Sequence, residues 1–104
     1  MNGRIEKLLA FLVETPNDCF LNHALALEYV KQDTDKEALV YFEKNLEFDP
    51  NYIATYYHLG KLYERTNDPD SAVAIYAKGM ERARAAGDNH SYSELQSAHE
   101  DLVY

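Results

Sequence analysis

Apolar residues recur at three- and four-residue intervals from one end of this chain to the other. No stretch shows the sustained strict alternation of a half-buried strand. Stop-and-start signals cut the helical pattern into six elements. The first runs from about Arg4 to Glu14, with Ile5, Leu8, Leu9 and Leu12 on its apolar face. "TPND" follows; Thr15 suits an N-cap and Pro16 the first helical position, and this second helix runs to about Lys31. "QDTDKEA" breaks the pattern, and Thr34 with Glu37 reads as a capping box for a third helix. "DPNY" at 49–52 repeats the cap-then-proline signal and opens a fourth. "NDPDSA" at 67–72 opens a fifth, with Asp68 as cap and Pro69 next, and Gly87 ends it. Ser91 with Glu94 reads as the capping box of a last helix, where Tyr92, Leu95, His99 and Leu102 share a face. All connections are short, so consecutive helices lie antiparallel and the fold class is all-α.

The fourth helix, "TYYHLGKLYER", carries Gly60 in its middle. An interior glycine costs an exposed helix roughly 1 kcal/mol relative to alanine, so the position needs a compensating reason. A shift of 34 residues supplies one, because the chain then overlays itself. Leu25 falls on Leu59, Ala26 on Gly60, Tyr29 on Tyr63, Ala38 on Ala72, Phe42 on Tyr76 and Pro16 on Pro50. A fixed period of this size marks stacked supersecondary units.

The pattern resembles the tetratricopeptide repeat, whose signature reads W-x2-L-G-x2-Y, then A-x3-F, then P. The second copy holds Tyr56-x2-Leu59-Gly60-x2-Tyr63 and Ala72-x3-Tyr76; the first holds Leu25-Ala26-x2-Tyr29, Ala38-x3-Phe42 and Pro50. Asn22 departs from the bulky first position, Asn45 from a position the family keeps small, and Arg84 from the closing proline. The resemblance implies a stack of antiparallel helix hairpins, a fragment of a right-handed superhelical solenoid. It implies one domain over residues 1–104: a half repeat at 4–16, repeats at 17–50 and 51–86, and a capping helix at 90–103. It also gives Gly60 its reason. Ala26 and Gly60 form a small floor where the two helices of a repeat approach closely, and Ala38 and Ala72 are small on the facing helix.

Composition narrows the function classes. The 104 residues suffice for one domain that buries roughly two-thirds of its unfolded-chain surface. A formal net charge of −8 repels phosphate backbones and anionic membranes, so nucleic-acid and membrane partners are disfavoured. The one cysteine, Cys19, permits no internal disulfide and suits a reducing compartment. The apolar run "LLAFLV" at 8–13 is too short to span a membrane, and a soluble cytoplasmic protein is expected.

The resemblance further implies a concave face lined by the first helix of each repeat, where peptides or other proteins dock. Counting from the matched positions, Phe20, His23, Leu27 and Lys31 belong to that face in the first repeat. Ala54, Tyr57, His58, Lys61 and Arg65 belong to it in the second. These positions hold cations, histidines and aromatics but no carboxylate, in an acidic chain. Such a strip suits an acidic peptide or a C-terminal carboxylate. A competing reading has Lys31, Lys61 and Arg65 pair with Glu28 and Glu64 and merely solvate a helix face. A chaperone-binding subfamily uses a lysine, arginine and asparagine clamp; its asparagine positions hold Leu27 and His58 here and its first lysine position His23, so that clamp is absent.

Nothing in the spacing of His23, His58, His90 and His99 matches a metal motif, and no base or oxyanion donor accompanies Cys19. No glycine-rich phosphate loop is present. Tyr29, Tyr56, Tyr63 and Tyr76 fall on packing positions; Tyr41, Tyr52 and Tyr104 do not. The expectation is therefore a non-enzymatic protein-interaction module without cofactor or metal. The alternative is a homodimer that self-associates through its end helices, around a two-fold axis on the face of Tyr92, Leu95 and Leu102.

Overall fold

A computed structural model describes residues 3–104 of the chain. Six helices and, among the described residues, no strand make up the structure. They divide in sequence between Asp49 and Pro50 into two compact units. The first holds α1 (Gly3–Glu14), α2 (Cys19–Lys31) and α3 (Asp35–Phe48); the second holds α4 (Ile53–Arg65), α5 (Pro69–Ala86) and α6 (Asn89–Val103).

Three helix starts differ from the sequence expectation, and at a fourth, α3, Thr34 holds the N-cap position but its hydroxyl donates to the Tyr29 carbonyl at 3.0 Å instead of forming a capping box. Thr15 and Pro16 do not open α2; the Thr15 hydroxyl donates to the Phe11 carbonyl at the end of α1, at 3.2 Å. Asp18 is the N-cap, and its carboxylate accepts from the Leu21 N–H at 3.0 Å. Pro50 likewise lies in the turn before α4, which begins at Ile53. At α6 the cap is Asp88 rather than Ser91, whose N–H and hydroxyl both donate to it at 3.1 and 2.8 Å. At α2 and α6 several polar residues in a row offered a cap and one aspartate was selected among them, whereas α4 follows Tyr52 with no side-chain cap. Asp68 caps α5 as expected, accepting from the Ser71 N–H.

The turns between paired helices repeat. Asp33 and Asn67 both adopt left-handed backbone, with φ of 58° and 62°. Each lets the following N–H reach back along the helix: Thr34 to the Tyr29 carbonyl at 3.0 Å and Asp68 to Tyr63 at 2.8 Å. This is the Schellman arrangement, which satisfies carbonyls that a helix end would leave bare. Gly87 (φ 71°) does the same for α5, with Asp88 N–H on the Ala83 carbonyl.

In the first unit, Leu8 and Leu12 of α1 bury against Leu25 of α2, with Ile5, Leu21, Ala24, Tyr29 and Tyr41 packed around them. Ala26, Ala38 and Phe42 are fully buried. The Tyr41 ring is not exposed; it stacks on Tyr29 at 5.7 Å. In the second unit Tyr56, Leu59, Leu62, Ala72, Tyr76, Ala83, Leu95 and Ala98 are the buried apolar residues.

Gly60 is required by an aromatic ring. A Cβ at Gly60 would lie 2.1 Å from Tyr76 Cε1 and 2.5 Å from Cζ. Tyr76, on α5, is fully buried and fills the volume that Gly60 leaves. Gly79 plays the reciprocal part: a Cβ there would lie 2.6 Å from Tyr56 Cβ and 3.1 Å from a Leu95 methyl.

That reciprocity explains two departures from the repeat signature together. The first repeat holds Asn22 and Asn45 where the second holds Tyr56 and Gly79, so two middle-sized residues stand for one large and one absent side chain. All three side chains are buried. Asn22 also keeps a hydrogen bond that the position makes in both repeats. Its Nδ2 donates to the Pro16 carbonyl at 3.1 Å, as the Tyr56 hydroxyl donates to the Pro50 carbonyl. Each bond ties the first helix of a repeat to the turn before it.

Gly60→Ala should therefore lower stability by about 1–3 kcal/mol, although alanine is the better helix former by roughly 1 kcal/mol. In a Tyr76→Leu background the cost should shrink, since the ring that meets the added methyl is gone. Urea denaturation of the four chains checks this; an equal cost in both backgrounds would remove Tyr76 as the reason for Gly60.

Candidate functional site

The expected binding strip runs along the first helix of each repeat, α2 in one unit and α4 in the other. Helical spacing sets it: Phe20, His23, Leu27 and Lys31 recur every three or four residues on α2, and Tyr57 or His58, then Lys61 and Arg65, do so on α4.

On α2 these residues have unequal access. Phe20 is 67% exposed. His23 is buried, its ring tilted against Phe42 at 5.8 Å, so it serves the core and offers little surface. Leu27 is half-buried. Lys31 is exposed but engaged, with its ammonium 3.1 Å from a Glu28 carboxylate oxygen. Arg4 of α1 reaches the same oxygen at 3.2 Å. Glu28 is itself buried, and two cations on one oxygen offset the cost of burying its carboxylate.

On α4 the aromatic groups are drawn together. The Lys61 ammonium stands 5.4 Å above the centre of the Tyr57 ring, and His58 meets that ring edge-on at 5.6 Å. Tyr57 in turn lies 6.4 Å from the Tyr76 ring. Glu64 links the surface to the core: its Oε2 accepts the Tyr76 hydroxyl and lies 3.6 Å from Lys61. Burial and this carboxylate push the Tyr76 phenol far above its ordinary range, so it stays a donor. Arg65 and Ala54 are exposed.

Both lysines thus pair with the glutamates that the competing sequence reading named, at 3.1 and 3.6 Å. Two further carboxylates were missed, because they come from α6. Glu94 acts on His58, and Asp101 on Tyr76. The strip positions themselves lack carboxylates, but their neighbours supply them. A residue-type count along one helix cannot see charges delivered by the next.

Cys19 is no activated thiol. Burial first, then Asp49 and Asp18, push it above its ordinary value, away from the thiolate. Among the described residues no group of histidines, cysteines and carboxylates is placed to hold a metal ion. No helix among them is long and apolar enough to cross a membrane.

Comparison with known proteins adds four findings. A family model described as the tetratricopeptide repeat matches residues 53–85. A tetratricopeptide repeat domain protein from Salinibacter ruber, known from its crystal structure, is 48% identical; the match covers 82% of this chain and 94% of that one, with a TM-score of 0.78. An uncharacterized protein of Porphyra purpurea, ycf37, is 33% identical over 78 residues, covering 71% of this chain. This chain spans only 45% of the length of that relative. The TPR2B domain of yeast Sti1, solved as a complex with pHsp70, superposes with a TM-score of 0.88 over 95% of this chain and 79% of that one. At 16% identity that likeness is one of fold alone.

His58 gives the site a pH signature. Burial pushes its imidazole below the ordinary range, with Glu94 opposing. Below about pH 6.5 the unfolded chain then binds more protons at this residue than the folded one. The contribution to stability is present above that pH and is lost as pH falls from there through the folded value. NMR titration should place the His58 midpoint below about 6.5, and His58→Gln should flatten the loss of thermal stability on acidification. A midpoint at or above the free value would contradict this placement.

Proposed function

This chain belongs to the tetratricopeptide repeat family, a family of protein-interaction modules, and we propose that it is non-enzymatic and holds a segment of another protein along the inner faces of α2 and α4. The proposal treats residues 1–104 as one domain: a half repeat at 4–16, repeats at 17–50 and 51–86, and a capping helix at 90–103. It places the protein in the cytoplasm, with no nucleic-acid or membrane partner.

The observation that supports it is the Tyr57 ring on α4, half-buried and flanked by Lys61 and His58. A rigid aromatic with a cation beside it is a typical anchor for binding energy. Exposed Phe20 offers a second apolar anchor on α2. The sequence favours an acidic partner segment. Such a segment meets Lys31 and Lys61 already engaged by Glu28 and Glu64. In this reading Phe20, Leu27 and Tyr57 supply the affinity. The cations act on encounter rate and orientation.

A second reading, self-association through the end helices, is favoured by one observation. Among the described residues α5 and α4 pack on α6, and its Tyr92, Gln96 and His99 are all half-exposed.

The test is capture of a partner by the wild-type chain beside a Tyr57→Ala, Lys61→Ala, Arg65→Ala variant of unchanged helicity. The captured segment, made as a peptide, should bind the variant at least about tenfold more weakly, the cost of one lost hot-spot contact of ~1.4 kcal/mol or more. Equal binding by both chains would take the function away from the strip.

A further inference from the structure

Shifted by 36 residues, α4 overlays α6: Tyr56 falls on Tyr92, Leu59 on Leu95 and Tyr63 on His99. The strip positions of α4 move with them. Tyr57, His58, Lys61 and Arg65 fall on Ser93, Glu94, Ser97 and Asp101, and all four of these are exposed. Glu94 and Asp101 stand about two turns apart on one face of the helix, ~10 Å along it. Lys61 and Arg65 are exposed although α5 and α6 both pack on α4. The matching face of α6 is therefore open by its phase on the helix, not by its place in the chain.

This face of α6 borders the strip. The two helices pack on each other, the Glu94 charge reaches His58, and the Asp101 charge reaches the Tyr76 phenol, whose ring lies 6.4 Å from that of Tyr57.

Its charge is opposite to that of the strip on α4. Together α4 and α6 carry the cations Lys61 and Arg65, the carboxylates Glu64, Glu94, Glu100 and Asp101, and the histidines His58, His90 and His99. Lys61 is engaged by Glu64 at 3.6 Å. Among the described residues no lysine or arginine lies within ion-pair distance of Glu94 or Asp101. The cations of α5 are turned elsewhere: Arg82 donates to Asn51 and Arg84 to the Tyr92 hydroxyl. Lys78 lies about 200° round α5 from the buried Tyr76.

The same face already holds one ammonium group. Lys61 stands 5.4 Å over the Tyr57 ring while its Nζ lies near the Glu64 carboxylate. A ring face with carboxylates beside it is the arrangement that receives a lysine or an arginine. The chain's own lysine thus displays the class of ligand that this ring accepts.

We propose that α6 forms the second wall of the binding strip in the second unit, and that the segment of another protein held there presents a lysine or arginine to Tyr57, Glu94 and Asp101. This rests on the groove reading and reverses, for this unit, the acidic segment that the residues of α4 alone suggest. Ser93 and Ser97, on the same face as the carboxylates, offer hydroxyls to the same head group. The net charge of −8 acts in the same sense, drawing a basic segment toward the chain.

Selection of short random peptides from a displayed library on the intact chain tests this. The enriched sequences should carry lysine or arginine beside an apolar residue. Made as a free peptide, such a sequence should bind a Glu94→Lys, Asp101→Lys chain at least about tenfold more weakly, since attraction becomes repulsion at two exposed positions. Tyr57→Ala should also weaken it. A Glu14→Lys, Glu47→Lys chain makes the same change of net charge at exposed positions of α1 and α3, and should bind within about twofold of wild type. All three variants are checked for native helicity. Enriched peptides that need Tyr57 but are acidic or uncharged would overturn the inference and leave the groove reading standing. So would equal losses in the two lysine variants, or no loss in either. No enrichment, or binding unchanged by Tyr57→Ala, would overturn the groove reading and the inference with it.

Discussion

The fit of the Tyr76 ring over Gly60 is the contact on which the rest of the second unit depends. It sets how closely α5 lies on α4, because a single methyl at Gly60 would occupy the ring's place. It also carries outward. The Tyr76 hydroxyl holds Glu64, Glu64 lies beside Lys61, and Lys61 stands over Tyr57. A buried volume match is thereby transmitted, through one carboxylate, to the posture of the surface aromatic that the proposed function uses. Tyr76 is suited to this because burial and the carboxylate keep its phenol protonated, so that it can only donate to Glu64.

The first unit meets the same packing demand with different residues and arrives at a different surface. Phe42 has no hydroxyl, and Val30 stands where the second repeat has Glu64. No core-to-surface bond forms there. The charged residue is Glu28 instead, buried between Lys31 and Arg4. Asn22 and Asn45 replace Tyr56 and Gly79, which conserves the sum of sizes and the tie to the proline carbonyl while giving up the ring. Two copies of one repeat thus present unequal inner faces: an exposed Phe20 with a buried histidine on α2, and a clustered Tyr57, His58 and Lys61 on α4.

The fold was legible in the sequence because periodicity and the 34-residue shift average over many positions, so no single residue decides them. Helix starts were less legible. "TPND" offers Thr15, Asn17 and Asp18 as competing caps, and local sequence does not say which N–H will point at which oxygen. The small positions follow from the repeat signature, but the signature does not say that Gly60 is a socket for the Tyr76 ring. The candidate strip was legible as a set of positions on two helices. Its charge was not, because Glu94 and Asp101 arrive from α6 and the burial of His23 depends on Phe42 of α3. Patterns within one helix report what that helix presents; they are silent on what a neighbour brings to it.

In a repeat stack, stability is approximately a sum of repeat terms and nearest-neighbour interface terms. The proposed strip belongs to helices whose own packing is already made: Leu25 and Leu59 are buried, and the ion pairs on Glu28 and Glu64 are formed. A segment bound there adds contacts without supplying a missing interface, so its affinity reports the anchors alone.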